Sequence, residues 1–330
     1  MVEKSSGLVD VIVVTQGANN FIAGCLSSLA RQTHTPGKII VIDNSADNVV
    51  SREFSGDQRF EFLPQTANLA YGRALNTGIA ASSARFILCL NDDVILDEHY
   101  IEKAIKGFDA DDKVGMVSGR ILRHGSDRID STGLFLSWFR SARERDHGVR
   151  DRGQRNKEEF IFGVTGAVAF YRKEMLEDIK LGEDYFDPDF GYFYEDLDLA
   201  WRANNLGWRG YYVPSAVAWH VRGLTARGVN GAGKRFARRF LTDELYVNLI
   251  NNRHLTIVKN EHLPNFLIFL PFILFYDLAA LCFTILFRPR LLTVLFPTST
   301  AFLSALHKRK LIKTRLALIR LQVSNCIFTL

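Results

Sequence analysis

Residues 86–97 read FILCLNDDVILD. Five apolar residues, Phe86 to Leu90, give way at once to Asn91, Asp92 and Asp93, and the apolar run resumes at Val94. An uninterrupted apolar strand belongs in the middle of a parallel sheet covered on both faces. Polar residues released at its C-terminal end sit in the crevice where open α/β sheets bind ligands. Adjacent carboxylates repel unless a cation holds them, and hard oxygen donors suit Mg2+ or Mn2+. Taken alone, the triplet reads more readily as a solvated turn leading into the next helix. The sequence around it reverses that preference.

Upstream, Val9–Thr15 (VDVIVVT) and Lys38–Asp43 (KIIVID) are further buried strands, and Phe60–Leu63 is a short third one. Between them, Asn19–Gln32 carries Phe21, Ile22, Cys25, Leu26 and Leu29 at helical spacing. Ala70–Ser82 is a small-residue helix in which Gly72 and Gly78 permit close packing. Strand and helix alternate in units of about 30 residues, which implies βαβ crossovers and an α/β fold with a mostly parallel sheet flanked by helices.

Downstream, a helix follows Asp97, and Val114–Ser118 is a strand. The arginine-rich segment 127–156 is expected to be an excursion from the fold. Phe160–Tyr171 returns to strand character around two glycines. Glu195–Asn204 is a helix ended by Gly207, and Trp208–Val213 and Ala216–His220 are two short strands.

The 330 residues suffice for a large core, and 47% apolar against 23% charged content excludes a disordered chain. The net charge of +5 is uneven: residues 222–330 hold 16 Lys and Arg against 4 Asp and Glu, leaving −7 for residues 1–221. That division does not suit a nucleic-acid binder with one basic face; it suits a soluble body whose tail meets an anionic surface. Four scattered cysteines give neither metal spacing nor a disulfide framework, which points to a reducing compartment. No signal peptide is expected, because no basic segment followed by an apolar one opens the chain.

The domains expected are a main α/β unit over 1–222, in two halves 1–120 and 121–222, a helical connector over 223–262, and a membrane-associating helical region over 263–330. Phe266–Arg288 is close to a spanning length, but Pro271 and Asp277 interrupt it, which favours a helix lying in the membrane plane. His307–Arg320 mixes cations with apolar residues at helical spacing, as interfacial helices do. A helical hairpin in the core of a soluble oligomer is the alternative, so a homo-oligomer stays open.

Rossmann, Walker A, nucleophile-elbow and His-Glu-x-x-His motifs are absent from the sequence. What remains is a set of polar residues at element ends. Asp43 ends the second strand, and Asn68 and Asn76 flank the start of the helix after the third. Glu195, Asp196 and Asp198 open a helix after the aromatic run Tyr192–Tyr194. Glu195 and Asp196 point about 100° apart, so one can face a cleft while the other supports it. A carboxylate against that aromatic wall has a raised pKa and can act as a general base. Asp187, Asp189 and Gly191 suggest a calcium loop, but no Glu follows at the twelfth position. His220 closes a strand, as Asp43 and Asp93 do, which favours a ligand role.

Taken together, the chain resembles the family 2 glycosyltransferases of GT-A fold, nearest the rhamnosyltransferase-like enzymes of bacterial surface polysaccharide synthesis. The motifs that carry the resemblance are VDVIVVT with the helix to LARQ, IIVIDNS, NLAYGRALNTGI, FILCLNDDV, GAVAFYRKE, FGYFYEDLDLAWRANNLGW and AVAWHVRG, in the family's order over residues 9–223. The resemblance implies that Thr15 and Asp43 recognise the donor nucleotide, with Asn68, Asn76 and Asp92 also on the donor side. Asn91, Asp92 and Asp93 occupy the family's D-x-D position. Asp93 would hold a divalent metal (Mg2+ or Mn2+) on the donor diphosphate, with His220 and Asn91 beside it. Asp196, next to Glu195, would deprotonate the acceptor hydroxyl, and Arg202 would support that helix. Gln16-Gly17 departs from the family's Tyr-Asn.

The function implied is an inverting transfer from a dTDP- or UDP-linked sugar, rhamnose among them, to a polyprenyl-diphosphate-linked or glycan acceptor. It would act at the cytoplasmic face of the cell membrane, as a peripheral or monotopic protein on an anionic surface. Two other readings compete: a membrane-anchored non-catalytic scaffold of the same fold, and a phosphatase-like hydrolase with Asp92 as nucleophile.

Overall fold

A computed structural model of the protein describes residues 8–17, 21–45, 48–222 and 241–327, with side chains as far as Ala317. Asn19 and residues 223–240 of the expected connector lie outside the described residues.

Strands β1 (Val9–Thr15), β2 (Ile39–Asp43), β3 (Glu61–Pro64) and β4 (Phe86–Asn91) pair in parallel in the order β3-β2-β1-β4. The register sets Thr15 beside Asp43 and Val14 beside Asn91, so the polar residues that follow the apolar runs share one edge. The strand order reverses at β1, where such sheets open a crevice. Helices α1 (Ile22–Ala30), α2 (Val49–Glu53) and α3 (Tyr71–Ala81) make the crossovers. At Gly78 of α3 a Cβ would lie 2.5 Å from Ile12 Cγ2, so the glycine is what lets this helix close on β1.

Beyond β4 come β5 (Val94–Leu96), α4 (Tyr100–Ile105), β6 (Val114–Arg123), β7 (Ile129–Ser131), β8 (Leu134–Leu136), β9 (Ala142–Glu144), β10 (Glu159–Ile161), β11 (Val168–Arg172), α5 (Lys173–Asp178), α6 (Glu195–Asn205) and β12 (Arg209–His220). The sheet continues from β4 through β11, β6 and β12 to β10. It is parallel on the β3–β4 side and mixed beyond, because β11 runs antiparallel to both its neighbours. One apolar cluster fills the face under α1 and α4, and another the face under α3, α5 and α6.

Three expectations need correction. The arginine-rich segment is not an excursion: β7 pairs with β6 in the main sheet, and β8 and β9 form a hairpin. Its arginines hid this because they are matched by acids nearby, as in the Arg150–Asp127 and Arg155–Asp146 pairs. Phe160–Tyr171 is two strands, β10 and β11, separated by a loop through Thr165 and Gly166. The two strands expected after Trp208 are one strand, β12, with a register shift between Val213 and Val217 that absorbs Pro214.

The C-terminal part is α7 (Asp243–Asn260), α8 (Leu263–Phe287) and α9 (Ser299–Ile327). Thr242 caps α7 by accepting from Leu245 N, and Asp243 and Glu244 follow in its first turn. Helix α8 runs unbroken through Pro271. Asp277 does not interrupt it either: the carboxylate turns toward α7, to Arg253 at 2.6 Å and His254 at 3.2 Å.

Candidate active site

At the crevice, Thr15 Oγ1 donates to Asp92 Oδ2 at 2.7 Å and accepts from Gly17 N at 3.1 Å. Gly17 has φ +82°, and a Cβ there would fall 2.4 Å from Ser45 Cβ. The close approach of the β1 and β2 loops therefore demands glycine, which explains half of the Gln16-Gly17 departure.

Asp43 is fully buried. Its Oδ1 accepts from Ser45 N and Oγ, and its Oδ2 from Ser51 N and Oγ at 2.8 and 2.7 Å. Burial alone would raise its carboxyl, but these four bonds hold it below the usual carboxylate range. Here Asp43 shapes the loop that runs into α2. Asn44, which the sequence reading passed over, is buried and ties that loop across the crevice: it donates to Asn68 Oδ1 at 2.9 Å and accepts from Leu69 N. Asn76 lies elsewhere. Its side chain bonds Asp184, Tyr185 and Phe186, so it clamps that loop from α3.

The D-x-D position is assembled by three strands. Asn91 ends β4, Asp92 and Asp93 form the turn, and β5 then pairs antiparallel with β12, setting Val94 opposite His220. That pairing brings Asp93 Oδ1 within 3.2 Å of His220 Nε2. On the other side of the ring, His220 Nδ1 stands 2.9 Å from Asp130 Oδ2. Asp130 is buried and also bonds Arg222. Burial would lower the imidazole's pKa, but the two carboxylates overcome it and hold the ring up at about 9. Asp130 was missed because it sits in the arginine-rich segment. The signal was there in Ile129-Asp130-Ser131-Thr132, an acid enclosed by strand-forming residues.

Across the crevice, α6 opens on Glu195 and Asp196 after Phe193 and Tyr194, both with positive φ (68° and 73°). Non-glycine residues in that region are strained, and such strain collects at functional sites. Asp196 Oδ2 accepts from Gly166 N at 3.0 Å and Oδ1 from Leu197 N at 2.7 Å. Tyr71 holds the same loop by donating to Gly166 O at 2.7 Å. Burial raises the Asp196 carboxyl against those N–H groups. Burial and the neighbouring Asp196 push Glu195 up to about 8, and its Oε2 is buried without a hydrogen-bond partner among the described residues. A third carboxyl, Glu144 on β9, is raised by burial to about 7 and bonds Ser131.

Arg202 supports α6 as expected, reaching Asp198 at 2.9 Å and Tyr185 O at 2.8 Å. Asp198 also pairs with the buried Lys259 of α7 at 2.9 Å. Asp187, in the faint calcium loop, is instead held by Lys259 and by Lys308 of α9, and Asp189 pairs with Lys308 at 2.6 Å. The C-terminal helices are thus bolted to the loop that leads into α6.

An open α/β sheet with polar groups at its switch point and a carboxylate pair facing them defines a GT-A-type glycosyltransferase fold. The sequence agrees: residues 10–180 match the model of the family described as Glycosyl transferase family 2. The chain belongs to glycosyltransferase family 2. Among curated proteins it is similar to poly-beta-1,6-N-acetyl-D-glucosamine synthase of Staphylococcus epidermidis, 24% identical over 225 residues, covering 67% of this chain and 52% of that protein. The enzyme of the same name from Staphylococcus aureus strain COL is 26% identical over 212 residues, covering 63% of this chain and 48% of that one. The chain thus spans about half the length of the curated relatives it matches. A crystal structure of GalNAc-T7 with UDP, GalNAc and Mn2+ shares the fold, with a TM-score of 0.51 and 11% identity over 64% of this chain and 43% of that one.

Proposed function

We propose that the protein moves one sugar from a nucleotide sugar to a glycan or lipid-linked acceptor hydroxyl, with inversion at the anomeric carbon. The observation that carries this is Asp196, a carboxylate aimed by two backbone N–H groups, with a second carboxyl, Glu195, beside it whose pKa burial raises. An inverting displacement needs one base on the acceptor side and charge neutralisation on the leaving diphosphate. Asp196 serves as that base.

Asp93 and His220 fit a divalent metal. Their 3.2 Å separation matches two neighbouring ligands on an octahedral ion, which bonds of about 2.1 Å set about 3.0 Å apart. Among the described residues no three His, Cys, Asp or Glu side chains gather as a metal site, so a metal held by Asp93 and His220 would need further ligands from outside the chain. Imidazole beside carboxylate suits Mn2+ better than Mg2+. When bound, the ion supplies positive charge to the departing diphosphate. Asn91 and Asp92 border this position, and Thr15 orients Asp92. Thr15, Asn44 and Asn68 line the donor side; Asp43 supports them from below.

For the donor, the rhamnosyltransferase-like motifs favour dTDP-rhamnose, and the poly-beta-1,6-N-acetyl-D-glucosamine synthases favour UDP-N-acetylglucosamine. Thermal shift with a panel of sugar nucleotides and Mn2+ decides between them, because only the true donor raises Tm strongly. Nucleotide release that needs both donor and acceptor supports transfer; the absence of any release supports the scaffold reading. That reading had only Gln16-Gly17 behind it, and the Ser45 contact accounts for the glycine.

We further propose that α8 and the start of α9 rest in the cytoplasmic face of an anionic membrane. Of 21 exposed large apolar side chains among the described residues, 15 lie between Leu263 and Leu306. Leu286 is 72% exposed and Phe275 66%. Soluble proteins seldom leave so much apolar surface together. The one acid of the layer, Asp277, faces inward, while Arg290, Lys310 and Lys313 stay outside. Sedimentation with anionic and with neutral vesicles tests this, and no binding to either overturns it.

A further inference from the structure

We propose that Asp130 is a positioning residue that holds His220 ready as a metal ligand, an inference that rests on the metal reading of the site. The backbone places the two side chains together. β7 pairs antiparallel with β6, setting Leu122 opposite Ile129, and β6 pairs parallel with β12, setting Arg123 beside His220. His220 is therefore enclosed between Asp93, delivered by the turn before β5, and Asp130, delivered by β7. Backbone bonds lock both flanks: Val221 N donates to Asp93 O at 3.0 Å and His124 N to His220 O at 3.0 Å.

An imidazole ligates through a bare nitrogen, so its proton must sit on the other one. An ionised carboxylate only accepts hydrogen bonds. Asp130 Oδ2, 2.9 Å from Nδ1, therefore holds a proton on Nδ1, so that Nε2, on the Asp93 side, is the nitrogen a cation would take in place of its proton. The bond also fixes the ring plane. The carboxylate has a second task. Arg222 bonds its Oδ1, Arg123 lies 3.7 Å from the same oxygen, and His147 Nδ1 donates to the Asp130 backbone O at 2.8 Å. Without Asp130, two guanidinium groups would lose a buried carboxylate next to the cation position, and their positive charge would oppose its filling.

The arrangement separates positioning from mere support of the fold. In Asp130→Asn the side-chain oxygen still accepts from Nδ1, although the charge is gone. In Asp130→Ala both are lost. Titration of the full chain with MnCl2, followed by the EPR signal of free Mn2+, reads the affinity directly. The expected order is wild type, then Asp130→Asn, then Asp130→Ala, with Asp130→Ala weaker by roughly ten- to a hundredfold. In a His220→Ala background, Asp130→Ala should lose much less than in the wild type, because there is no ring left to hold. Circular dichroism and Tm confirm that each variant is folded; if Asp130→Ala is not, Asp130→Asn and Asp130→Ser carry the comparison. Equal Mn2+ affinity in wild type and folded Asp130 variants overturns the inference while leaving the metal site standing. An undiminished loss in the His220→Ala background also overturns it. If the wild-type chain binds no Mn2+, the metal reading falls and this inference with it.

Discussion

Strand β4 and helix α8 are both near-continuous apolar runs, and the molecule treats them in opposite ways. Phe86 to Leu90 are buried between two layers of helices, and what they deliver to the surface is a cluster of polar groups. Helix α8 buries little: Ile273, Ala280 and Thr284 face inward and most of the rest faces out. The catalytic body is an ordinary soluble core with a polar mouth, whereas the C-terminal layer turns its apolar side outward and its ionic side inward. Lys259, Lys308 and Arg253 are spent on Asp187, Asp198, Asp189 and Asp277 rather than on a lipid surface. The two regions are therefore one mechanical unit. If α8 is anchored as proposed, these ion pairs tie the anchor to the loop that opens α6, where Asp196 is the proposed base.

The largest expected effect tests the body. Asp196→Asn keeps the shape and should lower turnover by about 10^2- to 10^4-fold. Donor binding, read by thermal shift, should stay close to wild type. Retained turnover would move the base elsewhere.

The joint between the regions comes next. Lys259→Met leaves Asp198 and Asp187 with less compensation in a dry site, which should cost about 3–5 kcal/mol in a denaturant unfolding curve. A wild-type midpoint would mean that the C-terminal layer is only appended to the catalytic body. Removing α9 altogether should fail for the same reason, since it strips Lys308 from Asp187; point substitutions are the cleaner probe of membrane contact.

Phe275→Glu probes the outward face alone. The side chain is exposed, so Tm should hold, but vesicle binding should fall by roughly tenfold, as losing one buried aromatic from lipid and adding a charge requires. Unchanged partitioning would turn this face into a contact with another protein surface.

The smallest effect is on pH dependence. The folded-state carboxyl of Glu195 is raised from 4.5 to about 8, so the folded chain binds its proton more tightly than the unfolded chain does. That contribution is complete below the ordinary value and disappears as the pH rises through about 8. Wild type should therefore lose Tm relative to Glu195→Gln between pH 5 and pH 8, by an amount on the order of a few degrees. Parallel curves for the two proteins across that range would show that Glu195 is ionised throughout.

Much of the fold was legible in the chain. Strands β1, β2 and β4 are buried on both faces, so their periodicity is simply continuous and cannot be mistaken. The acids that follow them stand out because nothing apolar competes with them locally. Residues 127–156 were illegible for the opposite reason. Strands of three residues, buried in β7 and partly exposed in β8 and β9, are too short to show an alternation among arginines, and their partners, β6 and each other, are set by tertiary pairing. Asp130 was lost with them. Asn76 bonds residues 184–186, a contact the sequence could not show, because an asparagine on a helix looks the same whether it meets a nucleotide or a loop.

By itself the sequence determined the alternating α/β scaffold, the strand-end positions of Asp43, Asp93 and His220, the acidic start of α6 and the apolar, basic C-terminal part. These follow from local periodicity and element ends, which need no distant partner. Only the tertiary structure decided what each charge does. It gave Asp43 to the α2 loop, paired His220 with Asp130 as well as Asp93, raised the Glu195 carboxyl by burial and turned Lys259 and Lys308 inward. A charge's role depends on what burial denies it and which opposite group reaches it, and both are properties of the packed chain.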